Sequence, residues 1–321
     1  MDLRPFNIVQ GDGFKCLGQG LINLGADFGK VDVESILPHP TTISRKTAAV
    51  AQRVRDTFLP EVKEAVENGT CALDTDMWSD KYTKTNYLTV EAQYCTDEFE
   101  LKSQTLFTVK FPPKLKKTGR NIRKLMDSEL EKMGSALEDV RKNVFTTDQG
   151  SSMITALDDC YRLNCSSHLT ATVPRNVFDF HKEKSKSLLS KNCPGCYSVI
   201  TSCRSIVTYI KRSGKNVELA KTVKMMAEPR WNTLLNMLES VCASFLDIVE
   251  LLKEQGESTR LDNWDSELAT QLVNFLVPFR SVSVELQAKK SPTLHLVLIR
   301  YFDLLRHCEV DDEDHPVSNY T

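Results

Sequence analysis

The spacing of apolar positions changes twice along the chain, near residue 70 and again near residue 170. Before the first change, Gly11, Gly13, Gly18, Gly20, Gly25, Gly29 and the Pro38-His39-Pro40 break predict turns rather than a regular element. Ala48, Val50, Val54, Phe58 and Leu59 then recur at roughly helical spacing. They predict a helix from Ser44, its N-cap, to about Asn68, bent or ended by Pro60 and closed at Asn68-Gly69. From Thr70 the period shortens to two. Cys71–Asp76, Tyr87–Tyr94 and Leu101–Phe111 read as a three-stranded meander with a turn at Asp97-Glu98. Ile122, Leu125, Met126, Leu130 and Met133 return to helical spacing over Thr118–Met133. Val144–Asp148 is a strand ending in a carboxylate, Ser151–Leu157 a short helix, and Tyr161–Cys165 a further strand. The order is β-β-β-α-β-α-β, and its helical crossover favours parallel pairing among the later strands. Beyond residue 170, Val199–Ile210, Trp231–Gln255, Glu267–Ala288 and Thr293–His307 predict helices, with Pro278 kinking the third. The tail from Glu309 to Thr321 is acidic and reads as frayed.

At 321 residues, with 41% apolar and 26% charged residues, the chain can bury one large core or two modest ones. Its first residues lack the apolar segment of a signal peptide, and no window reaches 18 uninterrupted apolar residues, so secretion and membrane spanning are disfavoured. The ten cysteines therefore read as reduced thiols, mostly small buried hydrophobes, in a cytosolic or nuclear setting. A net charge of -2 attracts no polyanion globally, so nucleic-acid binding requires local patches. Two exist. Lys114, Lys116, Lys117, Arg120, Arg123 and Lys124 form one, and Lys182, Lys184, Lys186 and Lys191 the other; each reads equally as a solvated surface.

The strand order, with one aspartate in the first strand and another at the end of the fourth, is the layout of the RNase H-like nucleotidyl-transfer fold. With strands one and four side by side, Asp76 and Asp148 converge at one sheet edge. Two convergent carboxylates make a hard oxygen site suited to Mg²⁺ or Mn²⁺. Two such ions about 4 Å apart serve an in-line phosphoryl displacement by activating the attacking oxygen and stabilising the leaving one. Spacing alone favours a simpler account, a turn aspartate or a strand-end cap.

The surrounding residues change that balance. Asp76-Met77-Trp78-Ser79-Asp80, Phe145-Thr146-Thr147-Asp148-Gln149-Gly150, Arg162-Leu163-Asn164-Cys165-Ser166-Ser167-His168 and Pro229-Arg230-Trp231-Asn232-Thr233 occur in this order. The series resembles the hAT-superfamily DNA transposases. Asp2-Leu3-Arg4-Pro5-Phe6 and Ile36-Leu37-Pro38-His39-Pro40-Thr41-Thr42-Ile43-Ser44-Arg45 also look like that family's segment upstream of the catalytic domain.

The resemblance implies that Asp76 and Asp148 are the first two members of an Asp-Asp-Glu triad. It further implies that Trp78, Arg230 and Trp231 lie near the scissile phosphate and help hold a flipped base. Aromatic stacking, at roughly 1–3 kcal/mol per base, suits that task. Without the family, both tryptophans read as core residues. Cys165 and His168 match the family's Cys-x-x-His motif; two ligands are too few for structural zinc, which favours local packing and hydrogen bonding near the site. Cys193-Pro194-Gly195-Cys196, with His181 before it, suggests zinc or redox chemistry only weakly, since it matches no family motif.

The implied architecture is α/β plus all-α. A helical DNA-binding and dimerisation region spans 1–69, an incomplete RNase H-like core with a mixed sheet spans 70–170, and a partial all-α insertion spans 171–321. The family's third acid, a glutamate in a Ser-Glu-Arg signature, has no counterpart, for that tripeptide does not occur in the chain. Glu285 and Glu309 sit on or beside insertion-type helices and do not replace it. The expected function is a nuclear, transposase-like protein that binds double-stranded DNA at transposon ends as a homo-oligomer. It would be built for metal-dependent strand cleavage and transfer but feeble alone. The alternative is a domesticated, non-catalytic DNA-binding or scaffold protein.

Overall fold

A computed structural model of the chain describes residues 6–178, 188–227, 231–288 and 291–309. Its contacts divide the chain into two compact units, Met1–Pro60 and Glu61–Thr321. Lys182, Lys184, Lys186, His181, Arg230 and the tail beyond Glu309 lie outside the described residues.

The first unit is helical: a 3₁₀ turn at Phe6–Gln10, α1 (Asp12–Phe28), α2 (Val33–Ile36) and the opening of α3 (Pro40–Glu67). This corrects the expectation of turns over 1–43. Phe14, Leu17, Leu21 and Leu24 keep helical spacing in α1, which forms despite glycines that cost about 1 kcal/mol each in a helix interior. The helix ends where glycine becomes useful, at Gly29 with φ 77°. α3 begins at Pro40 rather than after Ser44, because proline's fixed φ suits a first helical position. The His39 Nδ1 accepts the N–H of Thr41 at 3.3 Å. The helix also runs through Pro60, which neither ends nor interrupts it, and stops at Gly69 with φ 70°.

In the second unit, five strands form one mixed sheet: β1 (Ala72–Ser79), β2 (Asn86–Cys95), β3 (Leu101–Lys110), β4 (Val144–Thr147) and β5 (Tyr161–Asn164). The order is β3-β2-β1-β4-β5. β1 pairs antiparallel with β2 and parallel with β4, so it is central and carries both kinds of ladder. β4 and β5 are also parallel, as the helical crossover required. Leu73, Leu88, Val90, Ala92 and Phe145 are fully buried on one face. Each of these side chains other than Ala92 contributes roughly 1.5–3 kcal/mol by burial. Asp74, Asp76 and Trp78 alternate onto the other, more open face.

Crossovers are supplied by α4 (Gly119–Lys132), α5 (Leu137–Val140) and α6 (Ser151–Ala156). α4 buries Ile122, Met126 and Leu130 along one stripe, and its cap, Thr118, accepts the N–H of Asn121. Gly119 lets α4 approach α6 closely, since a Cβ there would lie 2.6 Å from the Cβ of Thr155 and 2.8 Å from the backbone nitrogen of Ala156. Arg123 holds the same corner, donating to Asp127 at 2.7 Å and to the Ala156 carbonyl at 3.2 Å. Asn143, fully buried, joins three segments. Its Nδ2 donates to the carbonyls of Val66 (2.8 Å) and Asp139 (2.9 Å), and its Oδ1 accepts from the Cys71 N–H (3.0 Å).

The remainder is helical: α7 (Ser166–Val177), α8 (Leu188–Asn192), α9 (Pro194–Arg212), α10 (Asn232–Cys242), α11 (Phe245–Glu254), α12 (Ser266–Glu285) and α13 (Leu294–His307). Val199, Cys203, Ile206 and Ile210 of α9 pack in one core with Leu234, Leu235 and Leu238 of α10 and Leu272 and Leu276 of α12. Trp231–Gln255 is two helices rather than one. The break falls at Ser244, a buried residue with non-helical backbone whose hydroxyl donates to the Lys221 carbonyl at 2.9 Å. α12 continues through Pro278 as an unbroken helix.

Candidate functional site

The β1–β4 register pairs Ala72 with Val144, Leu73 with Phe145 and Asp74 with Thr146. Continued by two residues, it sets Asp148, just past the end of β4, level with Asp76 and on the same face. Asp76 stands in the central strand opposite Thr89 of β2. Asp148 begins the turn into α6, where its Oδ1 accepts the Gly150 N–H at 2.9 Å. A side chain at position 150 would press on that oxygen, with a Cβ at 3.0 Å, so glycine is the residue that lets the turn close on the carboxylate.

The electrostatics join these two acids to a third element. Burial raises the Asp76 pKa above its ordinary value, and the Asp148 carboxylate raises it further, opposed by the nearby His168. His168 lies in the first turn of α7, and Cys165 is the N-cap residue of that helix. The Cys165 N–H donates to the Thr147 carbonyl at 2.7 Å, so the thiol is anchored one residue from Asp148. Burial opposes ionisation of the thiol. Hydrogen bonds from the His168 ring and the N–H groups of His168 and Ser167 outweigh it, and its pKa lies below the ordinary value. His168 is raised in turn, chiefly by its bond with Cys165, despite burial, and then by the charges of Cys165, Asp148 and Asp76. Cys165 and His168 thus form a polarised pair beside two carboxylates. Among the described residues no group of three or more His, Cys, Asp or Glu is arranged to hold a metal ion.

Trp78 lies two residues beyond Asp76 on the same face and is 43% exposed. Its ring stacks on Tyr87, its cross-strand partner, with centroids 4.6 Å apart and planes 20° from parallel. Its Nε1 donates to Thr89 Oγ1 at 3.1 Å. The result is a fixed, accessible aromatic platform. Trp231 is placed differently: it is 7% exposed, packs in the helical core, and its Nε1 has no partner among the described residues. What this ring offers in its observed setting is packing.

Of the first basic cluster, Lys114, Lys116, Lys117, Arg120 and Lys124 are exposed. Lys117 reaches the end of β1, with its Nζ 3.5 Å from Ser79 Oγ. Arg123 is committed to Asp127 and Asp159 instead. Tyr87 was not singled out by sequence, since its place beside Trp78 depends on strand register, which no local pattern encodes. Lys117 belongs to the basic cluster read from the sequence, and loop placement brings it to Ser79. Cys193 and Cys196 face each other with sulfurs 2.9 Å apart, and all ten cysteines are free thiols. No helix among the described residues is long and apolar enough to cross a membrane.

Residues 1–42 match the family described as the Hermes transposase DNA-binding domain. Over 309 residues, 96% of the chain, the sequence is 31% identical to the Transposable element Hobo transposase of Drosophila melanogaster. The chain spans 45% of that relative's length.

Proposed function

We propose, from the premise that this chain is a relative of the hAT transposases, that it binds double-stranded DNA at element ends and carries part of an RNase H-like strand-cleavage site. The observation that carries this reading is the level placement of Asp76 and Asp148, with the Asp76 pKa raised by burial and by the Asp148 charge. Two like charges held together at a strand end are relieved by a divalent cation, and hard carboxylate oxygens suit Mg²⁺ or Mn²⁺. The pair therefore fits two positions of such an ion's coordination shell. When bound, the metal would supply Lewis-acid activation of a phosphoryl centre.

The chain's own residues have distinct tasks in this reading. Asp76 and Asp148 would hold the metal. Trp78, stiffened by Tyr87 and Thr89, offers its face to an unstacked base. Lys114, Lys116, Lys117, Arg120 and Lys124 neutralise backbone phosphates beside the site. Trp231 takes the role that the resemblance implies only if its ring leaves the helical core, because it is buried; Arg230, outside the described residues, keeps its role by resemblance alone. The domain division that goes with this reading is a helical DNA-binding and self-association region over 1–69, a catalytic core over 70–170 and a helical insertion over 171–321. The protein acts on nuclear DNA as a homo-oligomer.

Two carboxylates fill only part of a divalent ion's coordination shell, so the pair by itself would bind metal weakly. That same observation favours a second reading, a DNA-binding protein that keeps the fold without the reaction. Two measurements test the proposal. Mn²⁺ binding followed by electron paramagnetic resonance is expected to be lost in Asp76→Asn and Asp148→Asn while DNA binding in a gel shift is retained. Unchanged Mn²⁺ binding in both variants overturns the metal assignment; absence of DNA binding by the wild-type chain overturns both readings. Strong metal-dependent nicking that disappears in Asp148→Asn would remove the second reading.

A further inference from the structure

We propose that Cys193 and Cys196 form a redox-active dithiol, which closes to a disulfide across the first turn of α9 by exchange with a low-molecular-weight disulfide such as oxidised glutathione. The inference concerns residues apart from the acidic pair and does not depend on the DNA reading.

The local sequence, Cys193-Pro194-Gly195-Cys196, brings two thiols together at a helix start. Cys193 is the N-cap residue of α9 and Pro194 its first helical residue, where proline's missing N–H costs no hydrogen bond. Cys196 follows three residues on, one turn along the same side. The Cys193 thiol donates to the Cys196 sulfur across 2.9 Å, so the sulfurs need to close by only about 1 Å to reach a bond of about 2.0 Å. Backbone bonds hold this turn from both sides. The Cys193 N–H donates to the Leu189 carbonyl of α8 at 2.8 Å, and the Cys193 carbonyl accepts the Tyr197 N–H at 3.2 Å. Gly195 is set against α12, since a Cβ there would lie 3.4 Å from Cδ2 of Leu268.

The two thiols differ in access. Cys193 is half-buried and Pro194 and Gly195 are exposed, whereas Cys196 is buried in the helical core. Burial, and then the hydrogen bond and charge of Cys193, hold the Cys196 thiol above the ordinary cysteine range. This asymmetry suits thiol–disulfide exchange. The reachable Cys193 thiolate attacks one sulfur of the oxidant, forming a mixed disulfide and releasing one thiolate. Cys193 then carries neither proton nor charge, and its share in raising the Cys196 pKa disappears. Cys196 gives its proton to solvent and attacks the Cys193 sulfur, expelling the second thiolate. Two protein thiols have lost two electrons and two protons, and one small disulfide has become two thiols.

Plain packing accounts for a cysteine such as Cys203, fully buried further along the same helix. It does not account for a pair that meets at the edge of the core with its connecting residues in solvent. Structural zinc needs four ligands, of which this pair supplies two, whereas a disulfide needs two. In a reducing compartment such a bond is transient and sensing rather than structural.

The test uses the full chain in mixtures of reduced and oxidised glutathione, quenched in acid and alkylated with N-ethylmaleimide in denaturant. Mass spectrometry reads the peptide that carries both residues. Toward the oxidised end this peptide is expected to lose two hydrogens and both alkyl groups, while Cys203 stays alkylated. Cys196→Ser should trap one glutathione on Cys193; the wild-type measurement stands whether or not that variant folds. Cys193→Ser, which keeps a favourable N-cap residue, should leave Cys196 free of glutathione. The equilibrium constant for closure should exceed that of the chain in denaturant by about 10-fold or more, because the fold raises the effective concentration of one thiol at the other. Free thiols at every ratio in the folded wild-type chain overturn the proposal, as does stable glutathione on both residues. Equal constants in the folded and denatured chain overturn the claim that the fold assembles the pair. Zinc held by the purified wild-type chain and lost from Cys193→Ser would assign the pair to a metal and overturn the redox role.

Discussion

Asp76 feels the charge of Asp148 from the neighbouring strand, and the two carboxylates stand at the same level of the sheet because β1 and β4 run parallel in register. The Asp76 pKa is raised first by burial and then by this repulsion. Its charged form is therefore less favourable folded than unfolded. The folded chain keeps the proton to higher pH, so the stability contributed is complete below the ordinary carboxylate pKa and is lost as pH rises through the raised one. Asp76→Asn removes this loss. Its stability advantage over the wild type is expected to be larger at pH 7 than at pH 3 in urea denaturation, and an advantage independent of pH would contradict the account. In Asp148→Asn, the carbon-13 titration midpoint of Asp76 should move down toward the ordinary range.

Asn143 is the second point of leverage. Substitution by leucine keeps the branched shape but leaves the Cys71 N–H and the Val66 carbonyl buried without this partner. The expected cost is about 3 kcal/mol, the sum of desolvated groups at roughly 1–3 kcal/mol each. A shift of the urea midpoint with an unchanged slope would measure it; a loss under 1 kcal/mol would show that the junction tolerates rearrangement.

Cys165 provides a third check. With the His168 bond and two backbone N–H groups stabilising its anion against burial, the thiol ionises below the ordinary cysteine range. His168→Ala removes the ring's contribution and should raise that pKa. Alkylation by iodoacetamide, followed residue by residue in mass spectra against pH, should show the Cys165 profile moving to higher pH in the variant. An unmoved profile would assign the effect to the helix N–H groups alone.

The strands were legible in the sequence because alternation survives when one face is buried, and the two acids were legible because each closes or occupies a strand. α1 was not, since its glycines mask a stripe of Phe14, Leu17, Leu21 and Leu24 that only the helix reveals. The break at Ser244 carries no glycine or proline; it is set by a hydrogen bond to Lys221, a tertiary contact absent from any local window. Tyr87 as the seat of Trp78 likewise follows from the pairing of β1 with β2, not from spacing. The burial of Trp231 shows the same limit from the other side, for the resemblance implies a role near DNA while packing puts the ring inside a helical core.

The parallel pairing of β1 with β4 makes assembly of the acidic pair depend on alignment fidelity. A slip of one residue would turn Asp148 through the sheet to the opposite face, because side chains alternate at every step. Asn143, just ahead of β4 and bonded to Cys71, the residue just ahead of β1, serves as an index pin against that error. Misaligned chains would have nearly the same helix and strand content as aligned ones and yet present no paired carboxylates.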